Sequence, residues 1–430
     1  MRKWLRSIAA LSLLAIPVLL AACGSSEPVP TPAGGVRTYY IAAEEVNWNY
    51  APTGVNQITG IPFANLSTPN PLREASEQDE EFVMTRRVAF DNASTAAGSP
   101  NFTIDSSAIQ IGTTYKKTLF QEYTSASFTV KKPRAAKWEH QGFLGPIIRA
   151  EVGDTIRVVF KNKTLTDRGF SMHPHGVFYT KADEGAPYVS GDPSAFTDGN
   201  NVPPGGTHTY VWGVPDRAGP GPADGPSVQW MYHSHVDEVK DSYTGLIGPM
   251  IIYAKGALRP DGSVVGIDRE FVVMFTVDNE NFSWHFFDNL QTFAKLTLAD
   301  IQAAILGVPG PAGPPDPVLL LNGLNDEPNL KHSMNGYIFG NLPLETITMH
   351  KGEHVRWYVF SMGTEVDLHT PHWHGNTVLV NGMRTDVVSL LPATMVTADM
   401  VPDNIGTWLF HCHVNDHIIA GMVERYQVLP

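Results

Sequence analysis

The sequence predicts an all-β protein built from two similar domains in tandem, and three observations lead to that prediction. The chain has 430 residues, which is long for one domain and suits two. Short runs of alternating apolar and polar residues recur between turn residues, and long helical periodicity is scarce. A block of the first half also reappears in the second half.

The alternating runs are rich in β-branched and aromatic residues and are bounded by Gly, Pro, Asn and Asp, as the strands of sandwiches and barrels are. Five of them span residues 38–41, 155–160, 208–212, 270–275 and 354–359. The hydrophobic content of 43%, with 38 glycines and 33 prolines spread along the chain, indicates a globular rather than a disordered protein.

The first residues have the composition of an export signal. Three basic residues precede an apolar stretch over residues 8–22, and Cys23 follows it. This ending resembles the bacterial lipoprotein motif, in which the cysteine is lipidated. A plain signal peptide and an N-terminal membrane helix are the alternatives, although the stretch is short for a membrane span. We expect a lipoprotein signal peptide over 1–23, a flexible tether over 24–36, and an exported protein anchored by lipid at the periplasmic or extracellular face of a cell membrane.

Charge and cysteine content limit the possible functions. The net charge of −13 argues against a nucleic-acid partner, which needs a basic face. With Cys23 assigned to the leader, Cys412 is the only other cysteine, so the mature chain forms no internal disulfide. A single thiol in an exported protein indicates a chemical role for it.

The two halves repeat one strand and the histidine clusters that follow it. Residues 151–157 resemble residues 349–356. The clusters are His173 and His175, His233 and His235, His369, His372 and His374, and His411, Cys412 and His413, followed by His417 and Met422. The repeat predicts domains over residues 37–262 and 263–430.

Side chains alternate along a strand, so each His-x-His places two imidazoles on one side. The thiol of Cys412 then points away from His411 and His413, and one strand serves two neighbouring metal sites. Imidazole together with a thiolate and a thioether indicates copper, whereas structural zinc sites are closed and usually richer in thiolates. A single His-x-His is weak evidence of a metal site, whereas four clusters at matched places are strong evidence. The remaining alternative is a redox-inert scaffold that has retained its ligand residues. The blue-copper pattern is met by His369, Cys412, His417 and Met422.

These four clusters resemble the copper-binding motifs of the multicopper oxidases, over nearly all of the chain after the tether. The resemblance is closest to the ceruloplasmin-like ferroxidases and the two-domain laccases, through residues 171–177, 232–239 and 365–372. It implies two cupredoxin domains, which are plastocyanin-like Greek-key sandwiches or barrels. It also implies about four coppers per chain.

The resemblance assigns a ligand set. Type 1 copper would take His369, Cys412, His417 and Met422; type 2 copper would take His173 and His372; the type 3 pair would take His175, His233 and His413 on one copper and His235, His374 and His411 on the other. Phe170 stands where the repeat has His369, and Ser234 where it has Cys412. Only the second domain would therefore carry type 1 copper, which argues against the copper nitrite reductases, since theirs lies in the first domain.

The implied activity is that of an oxidase, which oxidises its substrate by one electron at type 1 copper and reduces O₂ to water with four electrons at a three-copper cluster. Two-domain members of the family are typically homotrimers. Each domain here supplies only two of the four clusters, so the three-copper site must lie at a boundary between domains.

The reducing substrate is the least determined part of the prediction. In ceruloplasmin-like ferroxidases, carboxylates and one histidine form an iron site beside type 1 copper, and the matching residues are Glu327, His332, Asp416 and, from a neighbouring domain, Glu365. With Cys412 they form the candidate catalytic set for Fe(II) oxidation; a solvated acidic loop is the alternative interpretation. Laccase-like oxidation of phenols or amines is the second substrate class. A membrane-tethered blue-copper electron-transfer or copper-binding protein is the non-enzyme alternative.

Overall fold

The computed structural model describes residues 34–63, 89–90, 102–103, 112–187, 198–293 and 329–430. The described strands of the first half are β1 (Val36–Asn49), β2 (Val55–Asn56), β3 (Ile61–Pro62), β4 (Ala89–Phe90), β5 (Phe102–Thr103), β6 (Thr114–Tyr123), β7 (Ile148–Glu151), β8 (Thr155–Asn162), β9 (His173–Pro174), β10 (Thr207–Gly213), β11 (Ser227–His233) and β12 (Ile247–Tyr253).

The described strands of the second half are β13 (Arg269–Asn279), β14 (Leu330–Met334), β15 (Thr348–His350), β16 (Val355–Ser361), β17 (Pro371–Trp373), β18 (Val378–Val380), β19 (Met383–Thr385), β20 (Met395–Met400), β21 (Gly406–Cys412) and β22 (Val423–Leu429). The α-helices are α1 (Glu238–Thr244), α2 (Phe286–Thr292) and α3 (Asn415–Ile419). Short 3₁₀ helices span Ala136–Gln141, Lys181–Asp183, Asp198–Asn200, Asp216–Ala218, Glu280–Phe282 and Leu344–Ile347.

Each half is a pair of sheets, and the strand order of the first pair returns in the second. The first half has sheets β10-β8-β1-β6 and β7-β12-β11-β9, and the second has β14-β13-β16-β20-β18-β19 and β15-β22-β21-β17. β1 runs parallel to β8 as β13 does to β16, and β12 runs parallel to β7 as β22 does to β15. The all-β prediction is confirmed, and the five predicted strand segments fall on β1, β8, β10, β13 and β16.

The strands facing each other within one half enclose an apolar core. In the first half Phe120 and Phe160 of one sheet pack with Tyr232 of the other. In the second half Phe275 and Trp357 pack with Phe410. Dispersion and the removal of apolar surface from water stabilise both sandwiches.

A third apolar cluster joins the halves, and β13 shows how one strand serves two cores. Its side chains alternate, so Val273 and Phe275 face the core of the second half, whereas Val272 and Met274 face the joint with the first half. Because both faces of β13 are covered, its sequence is an almost continuous apolar run. The strands of the first pair of sheets end at Tyr253 and those of the second begin at Arg269; the boundary between residues 262 and 263 stays a prediction.

Candidate metal centres

The cysteine site is a buried group at one end of the second sandwich, formed by His369, Cys412 and His417. The Sγ atom of Cys412 lies 3.8 Å from Nδ1 of His369 and 3.6 Å from Nδ1 of His417, and the two Nδ1 atoms are 3.1 Å apart. Cys412 ends β21, His417 lies in α3, and His369 bridges to Leu390 in the loop before β17.

Met422 completes the cysteine site through the backbone. Its N–H donates to the carbonyl of His417 at 2.8 Å, and its carbonyl accepts from the N–H of Cys412 at 3.0 Å. The thioether is fully buried. The fold therefore brings together the four residues of the blue-copper pattern. Cys412 ends β21, His369 lies two residues before β17, His417 lies in α3, and Met422 lies between α3 and β22.

Asp367 orients His369, and the sequence interpretation missed it. Its Oδ1 lies 3.2 Å from Nε2 of His369 and accepts a hydrogen bond from the N–H of Val277 at 2.7 Å, while Oδ2 accepts from the N–H of Thr364 at 2.9 Å. A proton held on Nε2 leaves the Nδ1 lone pair free to bind a metal. The spacing Asp367-x-His369 was the available signal, since residues two apart share one side of an extended chain.

The electrostatics of the cysteine site favour the metal-binding form of the thiol. Burial raises the pKa of Cys412, but hydrogen bonds with His369 and His417 outweigh it and bring that pKa down to about 6. The N–H of Thr370 also donates to Sγ at 3.4 Å. A thiolate is the form of cysteine that binds metals.

The first histidine set, His173, His175, His233 and His235, lies at the end of the first sandwich. β9 pairs with β11 so that His173 is opposite His233, and Nε2 of His175 lies 3.2 Å from Nε2 of His233. The Nδ1 atoms of His173 and His233 face the carbonyls of Glu184 and Ser234 at 2.7 and 3.0 Å, which leaves each Nε2 for a metal.

The second histidine set, His372, His374, His411 and His413, repeats this arrangement in the second half. β17 pairs with β21 so that His372 is opposite His411, and Nε2 of His374 lies 2.9 Å from Nε2 of His411. Nδ1 of His411 faces the carbonyl of Cys412 at 2.7 Å. Cys412 packs in the apolar core of the second half, while His413 is exposed, as the alternation along β21 requires.

Burial keeps the inner histidines neutral. It lowers the pKa of His233 to about 3 and those of His175 and His411 to about 4, with further lowering by neighbouring histidines. Neutral imidazole is the form that coordinates a metal. Facing, unprotonated nitrogens at 2.9 to 3.2 Å are an arrangement that a shared cation stabilises.

A glycine follows the first His-x-His of each half for a steric reason. Gly176 and Gly375 have φ angles of 76° and 71°, in the left-handed region. A Cβ atom at Gly176 would overlap the ring of Trp230, and one at Gly375 would overlap Trp408. The tryptophans therefore pack directly on the turns that hold His175 and His374.

The two histidine sets of one chain are separate. Ring contacts join His173 with His175, His233 and His235, and join His372 with His374, His411 and His413. Among the described residues, no histidine ring of the first set contacts one of the second set, and the potential metal groups fall within single halves.

The first half has a pocket that matches the cysteine site, formed by Phe170, Ser234, Asp241 and Leu246. The N–H of Leu246 donates to the carbonyl of Asp241, and the N–H of Ser234 to the carbonyl of Leu246, both at 3.0 Å. These are the bonds that Met422, His417 and Cys412 make in the second half. Sequence comparison found Phe170 and Ser234; it missed Asp241 and Leu246.

The candidate iron residues are less closely grouped by the structure. The ring of His332 is 6% exposed and packs on the ring of His417 with centroids 5.1 Å apart, and its Nδ1 has no hydrogen-bond partner among the described residues. Asp416 and Glu365 are exposed, and Glu365 lies in the loop after β16, in the same half as Asp416. Glu327 lies outside the described residues. Cys23 does too.

The donor atoms present fit copper. Two imidazole Nδ1 atoms and a buried sulfur converge in the cysteine site, with a thioether on the adjoining backbone. This set is typical of blue copper sites and differs from the oxygen ligands that calcium and magnesium take. The histidine sets offer nitrogen donors, which also suit copper.

Comparisons with known proteins agree with this chemistry. Residues 121–257 and residues 312–430 each match a family model described as multicopper oxidase. The chain is 38% identical to ferroxidase HEPHL1 of Homo sapiens over 91% of its own length and 29% of the relative, and 38% identical to ceruloplasmin of Rattus norvegicus over 92% and 31%. It thus spans less than a third of the length of these relatives.

One solved structure, described as the crystal structure of multicopper oxidase, is similar to the fold. The match has a TM-score of 0.50 and 16% identity and covers 91% of this chain and 89% of that one. The tandem cupredoxin arrangement is confirmed on this basis. In the part of the chain described here, no helix is both long and apolar enough to cross a membrane.

Proposed function

Since the chain belongs to the multicopper oxidase family, we propose that it oxidises a small reductant and passes the electrons to O₂. Copper, when bound, supplies the one-electron chemistry and the four-electron reduction of O₂ to water. The cysteine site carries this proposal, because a buried Sγ with two Nδ1 atoms within 3.8 Å is a group that a merely structural core has no reason to assemble.

The proposed ligands are those that the resemblance assigned. His369, Cys412, His417 and Met422 hold type 1 copper, His173 and His372 hold type 2 copper, and His175, His233, His235, His374, His411 and His413 hold the type 3 pair. The Cys412 backbone joins its thiolate to His411 and His413 through a few covalent bonds. This connection gives electrons a short path from the cysteine site to the second histidine set.

The three-copper cluster is proposed to form between two copies of the chain. Each half carries four of the eight histidines, and the described ring contacts stay within one set. The first set of one chain facing the second set of the next completes the cluster, and a closed homotrimer satisfies every set.

Fe(II) is the proposed reducing substrate. One relative is named a ferroxidase, and the ring of His332 packs on that of the proposed copper ligand His417 with centroids 5.1 Å apart. Carboxylate oxygens from Asp416, Glu327 and Glu365 with one imidazole would bind Fe(III) better than Fe(II), which favours the oxidation. Asp416 adjoins His417, so an ion held there is close to the cysteine site.

Metal content and oxygen uptake test the proposal together. We expect about four coppers per chain and O₂ consumption with Fe(II) in an oxygen electrode, compared with Mn(II), Cu(I) and a phenol. Preference for the phenol would replace the ferroxidase assignment with a laccase-like one. One copper per chain without O₂ uptake would contradict the oxidase and support an electron carrier.

The iron residues are tested by a paired substitution. Glu327→Gln with His332→Ala should abolish saturable Fe(II) oxidation while sparing oxidation of a bulky organic dye, since the dye needs only the cysteine site. Equal loss of both activities, or of neither, would contradict the iron assignment. The copper content of the double variant shows whether replacing His332 has also disturbed the neighbouring His417.

Anchoring by lipid is proposed for Cys23. The wild-type chain should fractionate with membranes and carry acyl chains at its N-terminus by mass spectrometry, whereas Cys23→Ala should not. Release of both proteins into the soluble fraction would contradict the anchor.

A further inference from the structure

A cavity of about 660 Å³ lies on the first half, lined by none of the proposed copper ligands. Its floor is formed by β1 and β6, and four aromatic side chains contribute to its walls: Tyr39, Trp48, Trp138 and Tyr337. Trp48 and Tyr337 contact each other edge to face with centroids 5.2 Å apart, and the Trp48 indole N–H donates to the carbonyl of Gly336 at 2.7 Å. These walls are fixed in place and suited to a planar apolar ligand.

Arg134 lines the cavity without a counter-ion. Its Nη1 donates to the carbonyl of Gly142 at 2.7 Å, and its Nη2 to the carbonyl of Leu144 at 2.6 Å. The preceding Lys131 and Lys132 each form an ion pair with a glutamate. Among the described residues, no carboxylate oxygen lies within 4.0 Å of an Arg134 nitrogen. The guanidinium is thus held rigidly and has donors to spare.

Gln141 adds an unsatisfied donor to the same cavity. Its side chain is 1% exposed, and its Nε2 has no hydrogen-bond partner among the residues that the structure describes. A buried amide N–H is costly when unpaired, so an acceptor is expected from a ligand or a water molecule. Arg134 and Gln141 together mark the polar end of the cavity.

The other charged groups of the cavity do not offset the preference of Arg134 for an anionic ligand. Glu122 also lines it, but its carboxylate pairs with Lys132 at 2.8 Å. Arg149 pairs with Glu270 at 2.7 Å. Glu139 is exposed and forms no ion pair with Arg134 among the described residues, and its effect on the pKa of Arg134 is smaller than that of burial. The uncompensated charge at the wall is therefore that of Arg134.

We propose that this cavity binds a small aromatic carboxylate, at a site separate from the copper centres. The carboxylate pairs with Arg134, whose planar donors match its two oxygens, and accepts a hydrogen bond from Gln141. The ring packs against Trp48 and Trp138. The site is independent of the proposed oxidase reaction, because it uses none of that reaction's residues.

Calorimetric titration of the copper-loaded, full-length protein tests the site. The probes are 2-naphthoate and its neutral isostere 2-naphthamide. We expect saturable binding of naphthoate at one site per chain, at least about tenfold tighter than that of naphthamide. Arg134→Gln should weaken naphthoate binding by about tenfold or more and leave naphthamide unchanged. Lys131→Gln removes a paired cation that does not line the cavity and whose partner Glu44 keeps Lys163 at 2.8 Å, so it should change the affinity by less than about threefold.

A second variant separates binding from folding, because Arg134 also holds two carbonyls. Gln141→Glu keeps Arg134 and places a negative charge at the polar end, so it too should weaken naphthoate binding. Thermal unfolding of each variant without ligand reports folding. Equal affinity for the two probes, unchanged binding in both variants, or no saturable heat at millimolar naphthoate would overturn the proposal.

Discussion

The cysteine site of the second half and the matching pocket of the first half share the same backbone hydrogen bonds but differ in their side chains. His369, Cys412, His417 and Met422 are replaced by Phe170, Ser234, Asp241 and Leu246, yet the hydrogen bonds that close the turn are the same. The cupredoxin turn is therefore stable without a metal-binding side chain. The proposed binding of copper at this place depends on four side chains and not on the path of the chain.

In the first half, the matching pocket links the two halves through hydrogen bonds to Asp241. Asp241 accepts hydrogen bonds from Ser234 Oγ at 2.6 Å and, through its other oxygen, from the indole N–H of Trp284 at 2.8 Å. Trp284 belongs to the second half, and its ring contacts two cations of the first half. Cζ of Arg168 lies 4.1 Å and Nζ of Lys240 lies 4.4 Å from the ring centroid. The position of a proposed copper ligand in the second half is taken in the first half by a side chain that binds the neighbouring domain.

The largest effect is expected from Cys412→Ser, which gives the second half the residue of the first. Without the thiolate, the blue absorption should disappear and oxidation should fall by more than the roughly 100-fold that loss of a ligand's hydrogen-bond partner causes. Optical spectra and oxygen uptake measure both. Ser234→Cys is the reverse control and should produce no blue band, since Phe170 and Asp241 offer no imidazole. A blue band in that variant would contradict the comparison.

Mixing two inactive variants tests whether the halves of different chains cooperate. His175→Ala with His233→Ala disables the first histidine set, and His374→Ala with His411→Ala disables the second. Each protein should be inactive alone. Random reassembly of equal amounts should restore about a quarter of wild-type oxygen uptake, because one junction in four then pairs two intact sets.

The mixing experiment distinguishes two architectures. A cluster formed within one chain gives no recovery on mixing, and such a result would contradict assembly across subunits. Wild-type protein carried through the same dissociation and reassembly is the control for losses in handling.

A smaller effect is expected from Asp367→Asn. An amide oxygen at the Oδ1 position still accepts from the Val277 N–H and from His369 Nε2, but it carries no charge, and the amide NH₂ then faces the Thr364 N–H. The proton on Nε2 is therefore held less firmly, and the ring is less well fixed. Oxidation should fall by about 10- to 100-fold, with a shifted blue band and potential. Asp241→Asn, the matched change in the first half, should leave the blue band unaltered. Identical spectra for wild type and Asp367→Asn would show that the contact at 3.2 Å does not orient the ligand.

The smallest effect concerns stability. Asp241→Ala leaves the Ser234 hydroxyl and the Trp284 indole N–H without their acceptor, and the free energy of unfolding should drop by about 2–4 kcal/mol. Urea denaturation measures it. The exposed Asp403→Ala should change it by less than about 0.5 kcal/mol. Equal free energies of unfolding for both variants would mean that the hydrogen bonds to Asp241 do not stabilise the protein.

The same carboxyl predicts a pH dependence. Burial raises the pKa of Asp241 to about 6, so the folded chain binds this proton more tightly than the unfolded chain does. Wild-type stability should therefore decline as the pH rises from about 4 to about 6, and Asp241→Asn should lack this part of the decline. Parallel curves for the two proteins would contradict it.

Much of the fold and of the grouping of the proposed copper ligands was predictable, because periodicity and repeated His-x-His spacing are local signals. Asp241 was missed because α1 has seven residues where α3 has five, so a position-by-position comparison of the repeats loses register after Ser234. Asp367 was missed although it lies two residues before His369, because the local sequence does not show that the distant Val277 N–H holds its carboxylate in place. The Arg134 cavity is formed by segments up to residue 337, and no local pattern reports which cation lacks a counter-ion.

The separation of the two histidine sets also has a stoichiometric consequence. In the proposed assembly each chain carries one half of a cluster on each domain, the first domain as its head and the second as its tail. Any open assembly leaves one head and one tail unmatched, whereas a closed ring leaves none and contains as many clusters as chains. Ring closure would then cover the histidines of the last unmatched head and tail, so that other metal ions no longer reach them. Dilution that opens the rings would lower the number of complete clusters per chain.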